Sequence, residues 1–599
     1  MKENSSQKTL LMLGLFLIVI IALQISKMDI FYNNERYLAP EYPVFQAMGS
    51  GVSVENTHKL DKIALLYDPL AADRDYVLEN FQSLLKKTKL QYDLISVEEE
   101  VSLSEYPLII ILLARYDRAP LLQEVFNCVE EGATAYFPIV PENSDSYISI
   151  STSFGLIEKA TKISCNQLID AEGLIGPKGE VYSFEAPIPL RYQVRLRPDC
   201  LVYLHDEDEN PLFWSRNLEK GMLYISNCDF LSSYQSRGLI MEVLYRTLKQ
   251  KNLASFLYPI SGTATLLLEE FASPYQVEDS AMMETEKLSY DKMMQSRIWP
   301  LITRLMRDFH VKPVLSYVLS YDENTDTDFQ SNQFPINDFK LYAAEVLQNG
   351  GEIAFHGFSM RPFGLEGQLQ EMGWFIPWSS FASIEESLQA AKSPLERIFP
   401  KYTITTYMPP QGRIAPEVLA KLPELDPNLS VLALTCRRLY PDQLIRDMER
   451  DPVIENLYYY TLVSCFDGMR WTVRNTLLAQ GMASMTLNVN QVLENSRMTF
   501  PQWTEEFIAT TELIQSYPGV EHTTIRQAAM ITEQSQNAEF SYSETADSIA
   551  IKVAKGYLGM QFVLRSEWPI LPGEGYTVEK YTGNYYVITL QSEEVILQK

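Results

Sequence analysis

Gly350-Gly351-Glu352-Ile353-Ala354-Phe355-His356-Gly357-Phe358-Ser359-Met360 decides how the rest of the chain is read. Two glycines end the helical spacing of residues 338–348, and Glu352 to Phe355 is a short extended run that stops at His356-Gly357. A helix, a tight turn and a brief apolar strand with a reactive side chain at its C-terminal end form the repeating unit of a parallel α/β architecture. The sequence holds only five histidines in 599 residues, so an imidazole at such a place is a candidate ligand. Four residues on stands Met360, whose thioether is a poor ligand for zinc.

The same alternation extends on both sides. Strands are expected at Ala264–Glu269, Pro313–Leu319, Thr403–Tyr407, Val431–Leu434, Tyr459–Ser464 and Ala483–Leu487, with helices such as Asp291–Phe309 and Asp338–Gln348 between them. With Glu352–Phe355 this makes seven strands over residues 256–520, an incomplete (β/α) barrel. Residues 60–255 alternate in the same way. A buried strand at Lys62–Tyr67, a helix from Tyr76 to Thr88, the continuous apolar run Leu108–Leu113 and a helix from Leu121 to Glu131 indicate a doubly wound α/β domain. Residues 525–599 change character. Alternation at Asp547–Val553, a turn at Gly573-Glu574-Gly575 and the run Tyr585–Leu590 indicate a small all-β module.

The N-terminus differs again. Residues 9–25, Thr9 to Ile25, carry no charge and are long enough to span a bilayer at the short end of the range. Lys2 and Lys8 precede the run, which places the N-terminus in the cytoplasm, and no small-x-small cleavage site follows it. Residues 1–27 therefore read as a cytoplasmic tail and single-pass anchor to the cell membrane, residues 28–59 as a linker, and the bulk of the chain as extracellular. A net charge of −27 argues against nucleic acid as a partner. The six cysteines are widely spaced and lack any C-x-x-C, so they read as free thiols rather than a zinc knuckle.

Around His356 the barrel segment resembles the polysaccharide deacetylase superfamily, in which a strand ends in His-Gly-x-x-His. The whole organisation is similar to a bacterial family of membrane-anchored proteins, found with Pel-type exopolysaccharide biosynthesis proteins, that place a class I glutamine amidotransferase-like domain before such a barrel. The first domain has no G-x-C-x-G elbow, so it reads as a binding or spacer unit. The resemblance implies a divalent metal held by one carboxylate and two imidazoles, a second carboxylate as base and a further histidine as acid. In place of an Asp-Asp pair the chain has Leu268-Glu269-Glu270-Phe271. Adjacent residues of a strand face opposite ways, so Glu269 and Glu270 are not expected to share the cleft. Met408-Pro409-Pro410-Gln411-Gly412-Arg413 resembles a groove-wall loop, with its arginine on the far side of the prolines. In the last strand the two histidine positions fall on Met485 and Asn488, and the acidic ones on Asn490 and Gln491. His58, His205, His310 and His522 lie elsewhere.

These losses imply a deacetylase-like barrel that has given up its metal chemistry and binds an amino sugar exopolysaccharide, a polysaccharide synthase or an export protein. No cofactor is expected on that reading. Trp374 and Trp378 are the candidate sugar platforms, with Tyr407, Arg413 and Asn488 lining the groove. An active deacetylase would need His356 and Glu270 to hold zinc or another divalent metal. A metal-free glycosidase would use Glu269 or Glu270 with Asp467. A structural subunit of an envelope complex is the third alternative.

Overall fold

The computed structural model describes residues 16–18, 44–49, 62–69, 75–113, 121–139, 150–159, 164–190, 192–250, 255–271, 274–326, 328–330, 334–369, 375–436, 457–464 and 468–599. All seven expected barrel strands form. They are β1 (Thr263–Glu269), β2 (Pro313–Tyr317), β3 (Glu352–Phe355), β4 (Thr406–Tyr407), β5 (Val431–Cys436), β6 (Tyr458–Ser464) and β7 (Met482–Asn488). Every neighbouring pair is parallel, and β1 bonds to both β7 and β2, so the pairings run round the sheet and return to their start. A two-residue strand, β8 (Glu521–His522), pairs with the first residues of β1.

Side-chain alternation sorts the barrel residues into two layers. Leu266, Leu268, Leu315, Ile353 and Phe355 belong to the large core beneath the surrounding helices. Leu267, Val314, Ala354, Val431 and Ala433 face inward and pack against Ile525, Ala528 and Ala529 of the helix Ile525–Gln536. Small residues on both sides let this helix enter the lower half of the barrel. Residues 525–536, expected to open an all-β module, are thus a stopper for the barrel. Its start is capped twice. Thr524 accepts the N–H of Gln527, and the buried Glu352 carboxylate of β3 accepts the N–H of Arg526 at 3.1 Å.

The expected helix Asp291–Phe309 is a composite. Tyr290–Met293 is α-helical, Met294–Ile298 is a π turn and Trp299–Asp308 is α-helical again. Pro300 lacks the N–H that an uninterrupted ladder needs, and the wider turn precedes it.

The doubly wound expectation holds for half of the first domain. Five strands, Tyr92–Ser96, Ile63–Tyr67, Leu108–Leu112, Thr134–Phe137 and Gly221–Ser226, are parallel neighbours in that order. The sheet then continues through antiparallel strands Pro211–Leu218, Cys200–His205, Ser164–Asp170 and Glu180–Pro189, and is mixed rather than doubly wound throughout. Cys128, Cys165, Cys200 and Cys228 are free, and burial pushes the Cys165 thiol up to about 12.

The C-terminal β structure consists of two antiparallel four-stranded sheets around a shared core, and each recruits a strand from earlier in the chain. Ser255–Ile260 joins Gln561–Ser566, and Ala47–Met48, expected to be irregular linker, pairs with Ser548–Tyr557. Phe45 packs edge-on against Tyr557 at 5.0 Å. No helix among the described residues is long and apolar enough to cross a membrane. The expected anchor lies outside the described residues except for Phe16, Leu17 and Ile18, which are helical and exposed.

Candidate metal centre at the barrel mouth

The inward face of each strand has a period of two, so the residues one layer above the helix stopper can be counted off. Leu267 is followed by Glu269, Val314 by Ser316 and Ala354 by His356. Glu269 stands opposite Asn488 in the β1–β7 register. All four of these side chains are buried. They lie at the C-terminal end of the barrel strands, where sites of this architecture form.

Glu270 joins them by leaving the strand. Its φ of 53° puts it in the left-handed region just past the end of β1. The expectation that Glu269 and Glu270 face opposite ways is therefore corrected, because alternation applies only while both residues are extended. The turn is held by β2. The Glu270 N–H donates to Ser316 Oγ at 3.1 Å, and the Phe271 N–H donates to the Ser316 carbonyl at 2.9 Å. Ligand atoms of Glu269, Glu270 and His356 consequently all lie within 4.8 Å of one another, and all three residues are buried.

Ser316 also orders the imidazole. Its Oγ lies 3.1 Å from His356 Nε2 and 3.4 Å from the Leu268 carbonyl. When Nε2–H donates to Ser316, the hydroxyl accepts twice, from His356 and Glu270, and donates once, to Leu268. Every valence of the hydroxyl is then used. In that tautomer one ring nitrogen is fixed by an oxygen, as in metal-binding histidines. Two further side chains reach the carboxylates. The Tyr321 hydroxyl donates to Glu270 Oε2 at 2.9 Å, and Asn488 Nδ2 donates to Glu269 Oε2 at 3.4 Å. Asn488 Oδ1 meanwhile caps the helix Val489–Asn495 by accepting the Gln491 N–H.

Two carboxylates and an imidazole at this spacing suit a divalent cation that takes oxygen and nitrogen ligands. Met360 is not part of this cluster. Met485 sits opposite Leu266 in the register and is buried in the outer core, so it faces away from the mouth. Asn490 donates to the Tyr275 carbonyl at 3.4 Å. His522, opposite Ala264 at the other end of β1, takes no part, and His58 lies outside the described residues.

The remaining expected site residues are placed otherwise. Tyr407 is fully buried and stacks on Phe363 at 5.3 Å, and burial holds its hydroxyl far above the ordinary tyrosine range. Trp378 is 2% exposed, lies against Phe329 and Phe363 and donates its indole N–H to the Pro362 carbonyl at 2.9 Å. Neither ring offers an open face to a sugar. Arg413 is half-buried beside the short turn Pro410–Gly412. Trp374 and Asp467 lie outside the described residues. Sequence reading missed Ser316 and Tyr321. Ser316 was open to discovery by counting two positions from Val314 along the strand, whereas nothing local marks Tyr321.

Among solved structures the chain is similar to Agd3, described as a novel carbohydrate deacetylase, at 9% identity over 90% of this chain and 98% of that chain, with a TM-score of 0.45. It is also similar to the exo-β-1,4-mannosidase Op5Man5 from Opitutaceae bacterium strain TAV5, at 16% identity over 31% of this chain and 35% of that chain, with a TM-score of 0.24. A ThuA-like protein from Bacteroides uniformis matches at 14% identity over 35% of this chain and 95% of that chain, with a TM-score of 0.24. These are loose likenesses. A search of curated proteins finds no match. A family model does match, over residues 178–587, and on that ground the chain belongs to DUF2194, a family described as an uncharacterised protein conserved in bacteria.

Proposed function

We propose that the chain is a carbohydrate-active hydrolase whose barrel mouth binds a divalent cation through Glu269, Glu270 and His356 and removes an acyl group from a saccharide. The observation that carries this reading is the convergence of three buried ligand atoms within 4.8 Å of one another. A bound cation would supply Lewis acidity toward an acyl carbonyl. The protein's own groups do the positioning. Ser316 fixes the imidazole plane and the Glu270 turn. Asn488 and Tyr321 orient one oxygen of each carboxylate. The saccharide class rests on the resemblance of the His356 strand to polysaccharide deacetylases. Membrane anchoring through residues 9–25 and a role beside exopolysaccharide synthase or export proteins belong to the same proposal.

A second reading, a polymer-binding barrel without chemistry, is favoured by one observation. His356 is the sole imidazole that the described residues bring to the mouth, so among them no second histidine is placed to supply the acid expected of this chemistry. Elemental analysis and acetate release separate the two. Wild-type protein dialysed against zinc or manganese is expected to retain about one ion per chain. Glu269→Gln and His356→Ala should lose it, and acetate should be released from acetylated oligosaccharides by the loaded wild type alone. Retention of no metal by a folded wild-type protein overturns the hydrolase.

A further inference from the structure

The loops that follow β1 and β2 each raise one tyrosine beside the carboxylate cluster. Tyr275 is 46% exposed and Tyr321 is 37% exposed. Their ring centroids lie 5.8 Å apart at an interplanar angle of 55°. Both rings are held at their hydroxyl ends. Tyr321 donates to Glu270, and Tyr275 donates to Glu494 on the helix that Asn488 caps. The backbone beneath Tyr321 is fixed as well. Ser320 Oγ accepts the Asp322 N–H, Asp322 accepts the Asn324 N–H, and Asn324 accepts the Asp326 N–H. The backbone beneath Tyr275 is fixed through its carbonyl, which accepts from Asn490.

We infer that Tyr275 and Tyr321 form the platform on which a sugar ring stacks at the barrel mouth, with the carboxylate of Glu494 accepting hydroxyl or amine hydrogens at its edge. A saccharide is the occupant whose chemistry fits both halves of this surface. It presents C–H faces that pack on aromatic rings and an equatorial rim of donors that carboxylates accept. The tyrosines hold two fixed rings at an angle, which suits a pucker better than a flat ligand. Their acidic edge favours neutral or amino sugars over uronic acids. The inference rests on the proposed function only in taking the mouth as a carbohydrate site. It moves the aromatic platform from the buried Trp378 to two residues outside the metal set.

The test is titration of full-length protein with pentamers of glucose, N-acetylglucosamine and glucosamine, read by calorimetry beside zinc binding and a melting curve. Wild type should bind at least one pentamer. Tyr275→Ala and Tyr321→Ala should each weaken that binding about tenfold. Tyr321→Phe, which keeps the ring and loses the hydroxyl, should stay within about threefold. Tyr275→Ala should bind zinc as wild type does, because the Tyr275 hydroxyl donates to Glu494, outside the three ligands. Pentamer binding unchanged in both alanine variants, or absent from wild type, overturns the platform. Tyrosine-dependent pentamer binding by a protein that holds no zinc upholds the platform and sinks the hydrolase instead.

Discussion

Ser316 Oγ lies 3.1 Å from His356 Nε2 while accepting the N–H of Glu270, so one hydroxyl ties the end of β3 to the turn after β1. Ser316→Ala keeps all three ligands and removes only what orients them. Such outer partners of metal ligands govern affinity by about 10–100-fold. The expected outcome is a tenfold or greater loss of zinc affinity by calorimetry with little change in melting temperature. Unchanged affinity would assign Ser316 to packing alone.

Glu352 gives a pH dependence. Burial raises its carboxyl above the ordinary range, against the opposing hydrogen bonds of Thr406 and Arg526. The folded state therefore holds its proton where the unfolded chain has lost it. Stability from this group is complete below the unfolded value and declines as pH rises through the folded one. Glu352→Gln removes the decline. The difference in melting temperature between Glu352→Gln and wild type should shift in favour of the variant as pH rises from acid toward neutral. A constant difference across that range would contradict the assignment.

His522 works in the opposite sense. Burial, with Lys312 and His310 nearby, lowers its pKa to about 4 from the ordinary 6.5. The unfolded chain binds the proton first, so stability is lost as pH falls from about 6.5 to about 4. His522→Gln should flatten acid unfolding in that window, followed by fluorescence. An acid limb as steep as wild type would exclude His522 as its source.

Arg565 and Glu242 form a buried ion pair of 2.7 Å between a C-terminal strand and the helix Arg237–Gln250 of the first domain. Glu242 also pairs with Arg246 at 2.9 Å, and Arg565 also donates to Asn584, so removing Glu242 takes away the main counter-charge of Arg565 without isolating it, at a cost below the roughly 3–5 kcal/mol of a charge buried alone. Glu242→Leu should destabilise by about 1–3 kcal/mol in denaturant titration, and Glu242→Leu with Arg565→Met should recover part of it, since Arg246 still lacks its partner. A double variant no better than the single would mean that the loss comes from packing.

The barrel was legible because each strand is a short apolar run whose inward and outward sides carry different residues. Ala354-Phe355-His356 states that plan in three letters. The centre was misread for a conformational reason. Nothing in Glu269-Glu270 announces that the second residue adopts a positive φ, since that value is set by the contact with Ser316, 46 residues away in sequence. The stopper helix was missed because Ile525, Ala528 and Ala529 resemble the small apolar face of any helix. Trp378 looked available because sequence does not say which rings fold inward.

The pairing of Ala47–Met48 with Ser548–Tyr557 makes the two ends of the chain a leash and its mooring. The apolar run ends at residue 25 and the pairing begins at residue 47. Twenty-two residues reach roughly 75 Å at full extension. Should residues 9–25 lie in a bilayer, the C-terminal sheets could never drift farther than that from its surface, whatever the barrel does. A chain trimmed to begin at residue 60 would lose more than a spacer. It would bare the hydrogen-bonding edge at Gly556 and Tyr557 and the apolar seat of Phe45, and so expose a sticky strand where the intact protein has a finished border.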